Sequence, residues 1–243
     1  MAMEKYSITY SKKTISFELH RKKVKHINLS IKPDITIVVS ANEQVPIDFI
    51  IGFVKEKAPW IIKNVSYFQR VQPEHPVKKE YVSGETFKYL GKQYRLIVEQ
   101  VDENEGVKYY QGFIYIYIKD KKNYSRKKKL LDDWFRNKAK LNFQASLERI
   151  YPIVAKYGIN KPEIQIRTMK SRWGSLIKGK NIMLLNYELI KAPKICIDYV
   201  VLHELLHYLY SYHNASFYNF MTSLMSDWKK RKEILDEEVV QEL

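Results

Sequence analysis

The chain is poor in sulfur, in acid and in long apolar runs, and each shortage excludes something. One of its 243 residues is cysteine, Cys196, so no internal disulfide framework holds it together and a reducing compartment suits it. No stretch of about 18 consecutive apolar residues occurs, which argues against a membrane-spanning helix. The start, Met1-Ala2-Met3-Glu4-Lys5-Tyr6, lacks the apolar core of a signal peptide, so the expected location is the cytoplasm, away from membranes. Asn214-Ala215-Ser216 then reads as a chance glycosylation sequon. Internal repeats and low-complexity segments are also missing. With 45% hydrophobic residues, the chain can build a real core in one large domain or two small ones.

Acid is the second shortage. Twenty-seven Asp and Glu face 42 Lys and Arg, leaving a net charge of +15. A field of that sign attracts nucleic acid, nucleotides or acidic proteins. Its densest run, Ser125-Arg126-Lys127-Lys128-Lys129, opens a helical pattern, where positive charge opposes the helix dipole. The run is either a solvated surface or a polyanion contact, and no nucleic-acid motif accompanies it.

Hydrophobic periodicity divides the chain into a β-rich N-terminal region, residues 1–120, and a helical second half, residues 121–243, an α+β arrangement. Residues 26–32 alternate, 35–40 are β-branched and 113–118 are too rich in β-formers for a helix, with Pro33-Asp34 as a turn between the first two. Two helices interrupt these strands. Phe49, Ile50, Phe53, Val54, Trp60, Ile61, Val65 and Phe68 are expected on one helical face, with Pro59 starting the second helix. Residues 72–80, with Pro73 and Pro76, form a linker, and residues 87–96 form a hairpin turning near Gly91. A long helix then runs from Leu130 past Trp134, Phe135, Leu141, Leu147, Ile150 and Val154, bent or broken at Pro152 and stopped by Gly158. Residues 164–167 predict a strand, 170–180 a loop and 181–186 a returning strand. Pro193 opens another helix.

That last helix carries His203-Glu204-Leu205-Leu206-His207. At 3.6 residues per turn His203 and His207 point the same way and can bind one tetrahedral metal, while Glu204 beside them can take a proton from metal-bound water. Half of the six histidines fall between 203 and 213. On an unbroken helix His213 would be rotated by about 240° from His207. The helix must therefore end, with a turn at 211–214 and Asn214 capping a helix striped by Phe217, Met221, Leu224, Met225 and Trp228. Failing that, a downstream carboxylate such as Asp227 or Glu233 supplies the third ligand. Three protein ligands leave the fourth zinc position open, the catalytic arrangement. Cys196 cannot close it, because two helical turns separate it from His203 by roughly 10 Å, and it reads as a small core residue.

Ser171-Arg172-Trp173-Gly174-Ser175, Asn181-Ile182 through Leu185-Asn186, and Asp198-Tyr199-Val200-Val201-Leu202 leading into the histidine run, His213 and Phe217-Tyr218 together resemble the YgjP-like (SprT-like) zinc metallopeptidases. Trp60-Ile61-Ile62-Lys63 and Tyr89-Leu90-Gly91 fit the same family's N-terminal half. The resemblance implies a compact zincin-like helical domain with a small hairpin or sheet. It also implies zinc on His203, His207 and His213, with Glu204 as general base. Leu176 stands where that family usually has Cys, and Tyr218 where it has Trp. Neither departure touches a ligand.

The group that stabilises the developing oxyanion is not identified by sequence. Arg172, Asn186 and Tyr199 are the candidates for transition-state or substrate contacts, against plainer roles as a surface ion pair, a strand-end turn residue and helix packing. Trp173 fits a core anchor better than a substrate contact. The strand at 181–186 could offer its edge to an extended peptide. The expected function is zinc-dependent hydrolysis of peptide bonds in a peptide or protein substrate. Two alternatives stand beside it: a zinc-dependent hydrolase of nucleotide phosphoanhydrides, and a non-enzymatic nucleic-acid-binding protein with a metal-stabilised domain.

Overall fold

The computed structural model describes residues 3–24, 26–31, 35–71, 79–169 and 172–239. They form two compact units, one within residues 1–76 and one within residues 77–239, and the fold is α+β. The linker expected at 72–80, with His75, falls mostly outside the described residues, as does the turn expected at Pro33-Asp34. Among the described residues no helix is long and apolar enough to cross a membrane.

The first unit is a four-stranded sheet backed by one helix. Strands β1 (Met3–Tyr10) and β2 (Lys13–Arg21) form a hairpin, and β3 (Asn28–Ile31) and β4 (Ile37–Ala41) follow in the order β1-β2-β4-β3. Ile15, Phe17 and Leu19 point to one face of β2, as period-two alternation requires. Helix α1 (Ile47–Val71) covers that face with Ile50, Val54, Ala58 and Ile61. Two sequence expectations change here. Phe49 and Trp60 lie outside the buried stripe and are exposed, and Pro59 sits inside one continuous helix instead of starting a second. An interior proline costs about 3 kcal/mol, and the uninterrupted apolar stripe on both sides of Pro59 offsets that. Phe68 lies in α1, but its side chain is outside the described set.

The second unit begins with another four-stranded sheet. Strands β5 (Thr86–Tyr89), β6 (Lys92–Gln100), β7 (Gly106–Tyr110) and β8 (Phe113–Ile118) take the order β5-β6-β8-β7. Its inner face, with Leu96, Ile114, Ile116 and Ile118, shares one core with Leu131, Phe135 and Phe143 of helix α2 (Tyr124–Ala155). The sheet thus groups with the helical half, and the units divide near residue 76 and not at 120, where only the hydrophobic period changes. Asn123 caps α2, accepting from the Arg126 N–H, and the helix runs through Pro152 without ending there. Gly158 follows its last turn with φ +74°, the left-handed conformation that favours glycine. Part of the basic run has structural partners: Arg126 pairs with Glu105 at 2.6 Å and the buried Lys127 donates to the Glu80 carbonyl.

Three strands lead into the motif helix. They are β9 (Glu163–Arg167), β10 (Gly174–Ile177) and β11 (Ile182–Asn186), in the order β10-β11-β9. Part of the loop expected at 170–180 is therefore strand, too short and too marked by Gly174 to show a period. β11 returns antiparallel to β10 and runs parallel to β9. As the central strand it has no edge to offer a peptide; the edge strands are β10, which borders the motif helix, and β9. Helices α3 (Lys194–Leu206), α4 (Ala215–Leu224) and α5 (Trp228–Val239) complete the unit.

Two attachments fix α3. At its start the β5–β6 turn docks backbone to backbone, Leu90 and Gly91 donating to the Ile190 and Lys191 carbonyls at 3.0 and 2.8 Å. A Cβ on Gly91 would stand 2.6 Å from Pro193 Cγ, so no larger residue fits. On its flank Asp198 accepts from Ser146 and Arg149 of α2 at 2.6 and 2.7 Å. Replacing the exposed Pro59 with alanine restores one helical hydrogen bond without altering the buried stripe. Amide exchange across α1 should slow by roughly tenfold, the net of the proline penalty and its unfolded-state benefit. Exchange that is unchanged or faster in hydrogen-exchange mass spectrometry would show that the interior proline costs this helix nothing.

Candidate metal centre

Helix α3 is apolar on nearly every side, with Cys196, Ile197, Val200, Val201, Leu202, Leu205 and Leu206 buried. Such a helix must be enclosed, and enclosure brings its last turn to the floor of a cleft. The helix stops at Leu206, with His207 as its C-cap, earlier than the turn expected near Ser211. Backbone N–H groups of Tyr208, Leu209 and Tyr210 fold back onto the Leu205 and Leu206 carbonyls. Asn214 then caps α4, its Oδ1 accepting from the Phe217 N–H at 3.0 Å. Between these two ends the chain reverses, and His213 comes back over the helix it has just left.

The three imidazoles converge. His213 Nε2 stands 2.8 Å from His203 Nε2 and 3.2 Å from His207 Nε2, and the ligand atoms of all three lie within 4.8 Å of one another. Nitrogens bound about 2.0–2.1 Å from one tetrahedral zinc would be roughly 3.3 Å apart, so the donor set fits such an ion. His207 Nδ1 lies 2.9 Å from the Tyr210 carbonyl. Only a donor can pair with that oxygen, so Nδ1 carries a proton and Nε2 is the ring nitrogen left to face a metal. Burial pushes His203 down to about 3, helped by the neighbouring His213 and His207. Burial lowers His213 as well. Both are therefore held in the neutral form that ligates. Asp227, an alternative third ligand, is engaged instead by Arg231 at 3.0 Å. Neither it nor Glu233 belongs to the cluster.

Aromatic rings hold the histidines in place. The fully buried Phe217 touches all three, with centroid separations of 5.0, 5.3 and 4.9 Å to His203, His207 and His213. Outside it a chain of rings runs from His213 to Tyr218, Trp228 and Tyr199 and back to His203. Trp228 is fixed in turn by donating Nε1–H to Thr222 at 2.9 Å. Tyr218 fills by stacking the place expected for tryptophan. Periodicity marked Phe217 and Trp228 as members of an apolar stripe and gave no sign of their place around the histidines.

Glu204 is 5% exposed. Burial raises its carboxyl to about 7, while the Arg172 charge and a hydrogen bond from the Leu176 backbone N–H act the other way. Its neighbour explains a glycine. A Cβ on Gly174 would meet Glu204 Cγ and Oε1 at 2.7 Å, so β10 can lie against the carboxylate only because that residue has no side chain. Nothing in the spacing of the sequence exposed this contact, nor those of the Tyr210 carbonyl and the Leu176 N–H.

The cleft above these groups has a volume of about 470 Å³ and is lined by Arg172, Trp173, Ser175 and Tyr199 besides the residues already named. Arg172 is exposed. Tyr199 is buried, and burial raises its phenol well above the usual range. Asn186 does not line the cleft. Its amide donates to the Met169 and Arg172 carbonyls and accepts from the Met169 and Glu188 N–H groups, so it shapes the loop before β10. Cys196 is buried in the first turn of α3 with its thiol toward the Arg231 carbonyl, and it takes no part.

Three imidazoles around one point, with the buried Glu204 carboxylate beside the first of them on α3, define a centre able to hold a metal ion. The family model described as YgjP-like, metallopeptidase domain, matches residues 25–238, and the chain belongs to this family. The resemblance carried by the Arg-Trp-Gly-Ser and His-Glu-Leu-Leu-His runs is thereby confirmed. No curated protein matches the chain. Family membership points to a metal-dependent hydrolase with peptide or protein substrates.

Gly174→Ala should lower stability by about 1–3 kcal/mol, the cost of overpacking a filled site, measured as a shift of the urea midpoint. Gly174→Ala combined with Glu204→Ala should recover most of it. If the double variant gained nothing, the close contact would not be what demands glycine.

Proposed function

We propose that this chain is a zinc-dependent peptidase in which His203, His207 and His213 hold the ion and Glu204 is the general base. The observation that carries the reading is the meeting of three histidine Nε2 atoms, one of them returned by the turn after α3, beside a carboxylate that β10 holds in place. Zinc bound there would supply a Lewis acid that activates water and polarises a carbonyl.

The remaining work falls to the chain. Glu204 accepts the proton of the attacking water and passes it to the departing amide nitrogen. The Leu176 N–H and the bare Gly174 backbone hold that carboxylate in one position, so little reorganisation accompanies the transfer. Arg172 and Tyr199 border the cleft and are the candidates for stabilising the negative oxygen of the tetrahedral intermediate. Asn186 acts only through the backbone it ties down. An extended substrate would lie along the outer edge of β10, where Gly174, Ser175 and Leu176 form one wall.

Purified protein should contain one zinc per chain by elemental analysis, and a chelator should abolish peptide hydrolysis until zinc is restored. Glu204→Gln should reduce hydrolysis of a peptide library by about 10²–10⁴-fold with the zinc retained, whereas His213→Ala should lose the metal. The reading fails if Glu204→Gln hydrolyses peptides at the wild-type rate. It fails equally if the intact protein releases phosphate from nucleoside triphosphates and leaves peptides uncut.

A further inference from the structure

The outer face of the β5–β8 sheet carries a second constellation that the metal centre does not use. In β8 the isoleucines 114, 116 and 118 point into the core, so Phe113, Tyr115 and Tyr117 share the opposite face. Register places Lys108 beside Tyr115 and Tyr110 beside Phe113 on the edge strand β7. The rings of Tyr115 and Tyr117 stack with planes 10° apart and centroids 6.1 Å apart. Lys108 lies over Tyr117 at 5.6 Å; around the β7 edge, on the side covered by α2, Lys138 lies over Trp134 at 5.5 Å. Tyr110 is 61% exposed. These groups border an open concavity of about 540 Å³ whose lining includes no carboxylate.

A half-exposed array of aromatic rings is costly for a surface that meets only water, and a lysine set among the rings chooses the sign of what would cover it. Rings on alternate residues of one strand repeat about every 6.6–6.8 Å. That spacing suits successive bases of an extended strand, each of which has a π-face, while phosphates between them meet the ammonium groups. A sugar surface would need polar side chains to read hydroxyls, and a cationic partner would meet Lys108. The carboxylate in register with the array, Glu99 beside Tyr117, lies on β6, away from the β7 edge. The chain's net charge of +15 adds a long-range attraction of the same sign.

We propose that this face, centred on Lys108, Tyr110, Tyr115 and Tyr117, binds single-stranded nucleic acid by base stacking and phosphate contact. It is a binding surface separate from the metal centre. Binding needs no hydrolysis, so it stands or falls independently of the peptidase reading.

The test uses the full chain and a fluorescein-labelled oligothymidylate of about 15 nucleotides, followed by fluorescence anisotropy. Saturable binding should weaken steeply between about 50 and 200 mM salt. Tyr110→Ala, an exposed substitution that should leave the fold intact, should weaken it by about tenfold, as should Tyr115→Ala. Lys108→Gln should flatten the salt dependence. Three results would overturn the proposal: no saturable binding at low salt, equal binding by all variants, or equal affinity for a duplex of the same length. Displacement of the oligonucleotide by polyglutamate at matched charge would also overturn it, by showing that charge alone is read.

Discussion

The site depends on the burial of α3 on almost all sides. A helix buried on almost all sides cannot slide or turn without exposing apolar surface, at about 25 cal/mol for each Å², so the direction of its last turn is settled by the core. The Gly91 backbone against Pro193 fixes where it begins, and Asp198 bonded to Ser146 and Arg149 fixes its rotation. His203 and Glu204 inherit their places from these constraints. Nothing about the imidazole or the carboxylate itself sets their direction.

The same logic explains why the third histidine arrives. A longer α3 would carry position 213 away from the other two, whereas an end at Leu206 leaves enough chain to reverse before Asn214 caps the next helix. Phe217, one turn into α4, is then buried beneath all three rings. It is the packing of this phenylalanine, added to the cap, that turns a loop histidine into part of a preorganised set.

What was legible in the sequence was whatever depends on period and on local chemistry. The run of β-formers at 113–118, the turn at Gly91, the stop at Gly158 and the Asn214 cap are local events, and each is found where its residues indicate. The spacing of His203 and His207 is local too. What was not legible depends on neighbours distant in the chain. Pro59 continues a helix because a sheet covers its stripe, and Gly174 is required by a side chain 30 positions away. β10 is only four residues long and becomes a strand through its pairing with β11. Arg172, Asn186 and Tyr199 looked equivalent as candidates. The structure separates them by what their polar atoms already hold: the amide of Asn186 is spent on backbone, while Arg172 and Tyr199 border the cleft.

The end of α3 has an electrostatic side. The last carbonyls of a helix carry the negative pole of its macrodipole, equivalent to roughly half an elementary charge. His203 lies in the last turn and His207 is the C-cap, so a cation held by them would sit at that pole. The backbone would then supply negative potential that the three neutral imidazoles lack. A carboxylate ligand would bring more of it, at the expense of the Lewis acidity of the ion. With attraction from a fixed dipole and coordination from neutral rings, a dication bound there would be held firmly and would keep most of its charge for whatever enters the cleft.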